Sequence, residues 1–168
     1  MTREEICSAL VECLNEVASL LEYSHSIAIR EQGALVKNDA EEITICCKTQ
    51  DEVLRRIVES DQRAGALNTQ LAEITGLDLT QANIDAIADA AGYPYSAVIK
   101  QTLGRISSAS QKLKRQNVIN RRLLQNGLDI IACSLRIVAS DSTPNSYSRN
   151  AHLAESGQAL VLSLDMRV

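Results

Sequence analysis

The chain contains no Phe and no Trp among its 168 residues, and only four Tyr. Without aromatic rings the core has to be aliphatic, built from Leu, Ile, Val and Ala, which suits helices packed on helices. Proline is almost as scarce: Pro94 and Pro144 are the only two, and the seven glycines are scattered. Nothing but isolated glycines interrupts residues 2–36 and 96–139, so long helices are permitted there. No apolar run approaches the roughly 18 residues that a membrane span requires. The amino-terminal stretch MTREEICSALVEC is acidic where a signal peptide is basic. The expectation is a cytoplasmic chain without membrane insertion.

The residue patterns of catalysis and metal binding are missing too. Glycines never fall at phosphate-loop spacing beside a Lys-Ser or Lys-Thr pair. Glu22 and His25 form one Glu-x-x-His on a helix, but a di-iron bundle needs that motif twice, and the other histidine, His152, follows Arg149. The cysteines Cys7, Cys13, Cys46, Cys47 and Cys133 are odd in number and have no tetrahedral ligand spacing. They read as reduced, core-filling side chains. No catalytic residue, metal or cofactor is expected, and the chain reads as a binding protein rather than an enzyme.

What is present is helical periodicity. Ile6, Leu10, Cys13, Leu14, Val17, Leu20, Leu21, Ile27, Ala28 and Leu35 keep a spacing of three and four, and Thr2 with Glu5 forms a capping box ahead of them. A second helix is expected from the cap-and-acid segment at residues 37–42, through Ile43, Cys46, Gln50, Val53, Ile57, Ser60, Ala64, Leu67, Leu71 and Ile74, to Gly76. Thr80 can cap a short helix with Ile84, Ile87, Ala88 and Ala91 on its apolar face, ending at Gly92. Pro94 can open a last long helix running to about Ala139 through Val98, Ile99, Leu103, Ile106, Leu113, Leu124, Ile131, Leu135 and Val138. Asn117, Asn120 and Gly127 interrupt its seam, and a buried Asn there would fix register.

Charge is uneven along the chain. Residues 1–95 carry 17 acidic against 7 basic side chains, whereas residues 96–139 carry 8 basic against Asp129 alone. The expected consequence is a basic helix lying antiparallel beside acidic ones and complementing them. The fold expected is all-α: an antiparallel bundle of three long helices plus a short one over residues 1–139. A polar linker and flexible apolar tail follow over residues 140–168. Tail residues Tyr147, Leu153, Leu160, Val161, Leu162, Leu164 and Met166, with Leu135 and Val138 at the adjoining helix end, are the candidate partner-binding set.

In this order the features resemble a known family. Glu31, Leu35, Asp39 and the pair Val53-Leu54 are similar to the hairpin pattern of FlgN-type flagellar export chaperones. The stretch QNVINRRLLQNGLDII resembles that family's Asn- and Leu-rich third helix, and Tyr147, Gly157 and the terminal apolar segment resemble its tail. The resemblance implies a cytoplasmic chaperone without enzymatic activity. Its implied partners are hook-associated (hook-filament junction) proteins and the flagellar type III export apparatus, with no nucleic acid. Two further readings stay open, a self-associating scaffold coiled coil and a nucleic-acid-binding helical hairpin.

Overall fold

The computed structural model describes residues 1–78 and 84–141. These residues hold four helices and no strand: α1 (Arg3–Lys37), α2 (Ala40–Thr75), α3 (Ile84–Ala91) and α4 (Tyr95–Asp141). The expected cap at Thr80 and the tail beyond residue 141 lie outside the described residues. Chain contacts divide the protein into a unit of residues Met1–Ile131 and a second of Ala132–Val168. Of the second unit the last turns of α4 are described.

Local chemistry sets the helix ends. The Glu5 amide donates to Thr2 Oγ1 at 3.3 Å while Glu5 Oε2 accepts from the Thr2 amide at 2.8 Å, so two N–H groups that a helix start leaves unpaired are satisfied. Asn38 closes α1 with a left-handed φ of 54°, and Asp39 at once caps α2, its Oδ1 accepting from the Glu42 amide at 3.1 Å. Such a short connection forces α1 and α2 into an antiparallel hairpin. Gly76, at φ 72°, ends α2 where a side chain would be strained. At the other end of the hairpin, Tyr95 starts α4 one residue later than expected, directly after Pro94.

Two apolar clusters lie along the hairpin. The first joins all four helices: Ile6, Cys7, Leu10 and Cys13 of α1, Ala64 and Leu71 of α2, Ala88 and Ala91 of α3, and Ile99 of α4. The second, nearer the hairpin turn, consists of Leu20, Ile27, Cys46 and Val53 with Ile57 against it, and has no member from α4. Between them, polar bonds fasten α1 to α2. Glu16 accepts from the Ser60 hydroxyl at 2.8 Å, from Arg63 at 2.7 Å and from Arg56 at 3.2 Å.

The Ser60 hydroxyl above all, then Arg56 and Arg63, hold the Glu16 carboxyl below the ordinary glutamate value of 4.5. A carboxyl lowered in the folded state stabilises the fold above its unfolded pKa, and this contribution is lost as pH falls through the folded value. Glu16→Gln is therefore expected to lower the melting temperature at pH 7. The gap from the parent should narrow as the pH is taken below 4.5, and a gap independent of pH would contradict the assignment.

Several expectations need correction. Hydrogen bonds pair Asn15 with Thr102 and Arg105, Gln32 with Gln116, and Glu31 with Asn120, so residue numbers rise together and α4 runs parallel to α1. It is antiparallel only to α2. In a three-helix array the third helix must run with the first, since each turn reverses direction. Cys7, Cys13 and Cys46 fill the core as expected, but Cys47, one residue out of phase with the seam, and Cys133 are exposed. Asn117 is also exposed, as are Ile74, Leu124 and Ile131. Of the eight basic residues at 96–139, Lys100 pairs with Asp89 at 2.7 Å and Arg105 with Glu22 at 3.1 Å. Lys112, Lys114, Arg115, Arg121 and Arg122 form no ion pair among the described residues.

Candidate protein-binding surface

Helix α4 changes character along its length. Near its start Ile99 is in the four-helix cluster and Ala109 is buried one face further on. Further along, polar bonds replace apolar contact. Asn120 is only 5% exposed, and its amide donates to the Ala28 carbonyl and to Glu31 Oε2, both at 2.8 Å. Gln116 donates to Asn120 Oδ1 at 3.0 Å and to Gln32 Oε1 at 2.9 Å. This network satisfies the buried amide and fixes the register of α4 on α1, as a lone seam Asn does in a coiled coil.

Beyond Asn120 the seam continues with its side chains about half exposed among the described residues. Leu124, Leu128 and Ile131 keep the alternating spacing of four and three, yet Leu128 is 52% and Ile131 58% exposed. In the second unit the last turns of α4 carry the same spacing through Leu135 and Val138, 63% and 64% exposed. The register explains the change within the first unit. Asn120 lies beside Glu31, only six residues before α1 ends at Lys37, so α4 soon outruns the hairpin.

At the point of departure a cleft of about 360 Å³ opens between α1, α2 and α4. Leu35 and Leu124 form apolar walls, Asn117, Asn120 and Gln50 line it with amides, and Glu31, Asp51 and Arg121 bring charge to it. Cys47 also lines it. Its thiol is pushed up by desolvation first and then by Glu31 and Asp51, which favours a protonated thiol over a thiolate. The cleft offers mixed polar and apolar contact at the head of the exposed stripe.

Of the residues expected from sequence to bind a partner, Leu135 and Val138 lie on the part of α4 in the second unit and are mostly exposed. Tyr147, Leu153, Leu160, Val161, Leu162, Leu164 and Met166 lie outside the described residues. Sequence reasoning passed over Leu128 and assigned Leu124 and Ile131 to the internal seam. A signal for them was present, since the heptad spacing runs unbroken from Leu124 to Val138 while the polar Asn117 and Asn120 stand just before it. Among the described residues no helix is long and apolar enough to cross a membrane, and no three Cys, His, Asp or Glu side chains gather at metal-binding distance.

The described residues define a class: an all-helical protein whose last long helix exposes Leu124, Leu128 and Ile131 at seam spacing. The family model described as FlgN protein matches residues 1–155, and the chain belongs to the FlgN family, whose general role is that of a flagellar export chaperone. No curated protein and no solved structure matches the chain significantly.

Proposed function

We propose that this chain is a cytoplasmic chaperone that binds hook-associated flagellar proteins before export, prevents their premature assembly and delivers them to the type III export gate. It works by binding alone, without catalysis. The observation that carries this reading is the aliphatic stripe of α4 within the first unit, Leu124, Leu128 and Ile131, whose residues keep helical-seam spacing and are each more than half exposed. Subunits that assemble through terminal amphipathic helices need such a face covered until assembly, and a helix laid in a helical groove is a recurring way to do it. The apolar tail at residues 147–168 adds a second set of contacts in the same reading. Because ordering a client segment costs free energy, binding is expected to be moderate and release easy.

The test is titration calorimetry with the terminal helical segment of a hook-filament junction protein. The full chain should bind with micromolar or tighter affinity, while truncation after Ser140 should weaken binding at least about tenfold and leave the helical spectrum and melting unchanged. Unchanged affinity in the truncated chain would remove the tail from the site. A self-associating scaffold is the second reading, favoured by the same stripe, because a second copy of α4 would cover it equally well. Sizing the protein with and without the client segment separates the two: a client should dissociate or prevent self-association, whereas a scaffold would stay assembled and bind no client.

A further inference from the structure

A different face of α4 carries charge instead of apolar surface. Residues 107–125 hold Lys112, Lys114, Arg115, Arg121 and Arg122 and no acidic residue. Val118 stands in the middle of this stretch, 57% exposed. At 3.6 residues per turn it lies opposite Gln116 and Asn120, which face α1, and so points directly outward. The positions three and four residues to either side of it on the helix surface are Lys114, Arg115, Arg121 and Arg122. All four are exposed and none forms an ion pair among the described residues.

This arrangement has a stability cost that no ion pair among the described residues offsets. Like charges that share one helix surface repel. Glu31 and Asp51 share the cleft with Arg121, but Glu31 accepts from Asn120 and neither acid forms an ion pair with the quartet among the described residues. We propose that this outward face of α4, a cationic quartet around Val118, is a docking site for an acidic amphipathic helix of a partner protein.

The spacing says what such a helix carries. Lys114 to Arg121 and Arg115 to Arg122 are each seven residues, about 10 Å along the axis. A partner helix laid alongside with carboxylates seven residues apart, flanking one aliphatic side chain, meets both cation pairs and covers Val118, as flanking charges do beside a coiled-coil seam. A long polyanion is a poorer fit. The chain as a whole has a net charge of −4, a nucleic acid reads no apolar centre in its phosphates, and its strand would extend past the quartet toward acidic helices. The face lies roughly 120° around α4 from the aliphatic stripe. A client and an acidic partner can therefore be held at once, and the inference stands whether or not the stripe is the client site.

Fluorescence anisotropy on the full chain at about 150 mM salt tests this, with a labelled peptide of about three heptads carrying Leu flanked by Glu as the probe. An oligoribonucleotide of about 20 nucleotides and phosphatidylglycerol vesicles are the competing probes. The expected result is that the peptide binds. Replacing all four cations by Gln (K114Q, R115Q, R121Q, R122Q) should weaken it at least about tenfold with dichroism and melting unchanged, and Val118→Asn alone should weaken it several-fold. Should the quadruple variant lose helicity, the pair R121Q and R122Q is read in its place. Peptide affinity that survives the Gln substitutions would overturn the proposal. So would RNA or vesicles binding the parent more tightly than the peptide does.

Discussion

Substituting Asp for Leu124, Leu128 and Ile131 together is expected to lower the affinity for the proposed client, a hook-associated protein's terminal helix, at least about a hundredfold while moving the melting temperature by only a few degrees. The reason for so uneven an effect is where these side chains stand. Each is more than half exposed in the chain alone, so each contributes little to folding. Covered by a client helix, a Leu or Ile contributes roughly 1.5–3 kcal/mol, and even partial coverage of three exceeds the roughly 2.7 kcal/mol that a hundredfold represents. An Asp in their place would be buried without a partner, which adds desolvation cost to the lost contact. The folded state pays only the lower helix propensity of Asp, a few tenths of a kcal/mol at each position. Calorimetric titration and thermal dichroism on the same preparation check both halves. Retained affinity would move the binding site off α4, and a collapse in melting temperature would mean that the stripe is part of the core.

The helix ends were the most legible part of the chain. Thr2 with Glu5, Asp39 with Glu42, and Gly76 each act through a bond or a dihedral angle that depends on residues within four positions, so local sequence contains the whole interaction. The internal face of the hairpin was nearly as clear, because Leu10, Val17, Ile27, Val53 and Leu71 are paired within one antiparallel register. Helix α4 was harder. Its apolar period is the same before and after Asn120, and period reports only which residues share a face. Whether that face meets the chain's own hairpin or solvent depends on how far α1 extends beside it, a difference in lengths that no residue of α4 encodes. This is why Leu124 and Ile131 read as internal.

The two asparagines show the same limit at finer scale. Asn117 and Asn120 look alike as polar breaks in the seam, yet only Asn120 lies where the Ala28 carbonyl and Glu31 carboxylate converge. Charge was misjudged for a related reason. The basic excess of residues 96–139 suggests a complement to acidic helices, and Lys100 and Arg105 do serve as one. Of the five cations after them, Lys114, Arg115 and Arg122 flank the outward Val118 and Arg121 borders the cleft, because the positions facing α1 are held by Gln116 and Asn120, and none of the five forms an ion pair among the described residues. Net charge per segment carries no information about the direction of side chains.

Leu71→Ala is expected to be the most damaging single substitution outside any binding face, costing roughly 2–5 kcal/mol of stability. Leu71 has no exposed surface and sits in the cluster where α1, α2, α3 and α4 all meet, with Ile6, Leu10 and Ile99 among its neighbours. Removing its side chain leaves a cavity whose lining loses dispersion contacts outright. The remaining members of the cluster are poor at refilling that space: Ala64, Ala88 and Ala91 are too short to reach, and the chain has no Phe or Trp whose ring could shift into the gap. The value should therefore fall in the upper part of the range, a loss of roughly 5–15 °C in melting temperature for a chain of this size. Leu54→Ala is the matched control. Leu54 lies on the same helix but is mostly exposed, and its truncation should cost less than about 0.5 kcal/mol. Urea unfolding followed by dichroism, with equal slopes for parent and variants, gives the two values on one scale. If Leu71→Ala proved as mild as Leu54→Ala, the four-helix junction would not be the part of the fold that holds α3 and the start of α4 onto the hairpin.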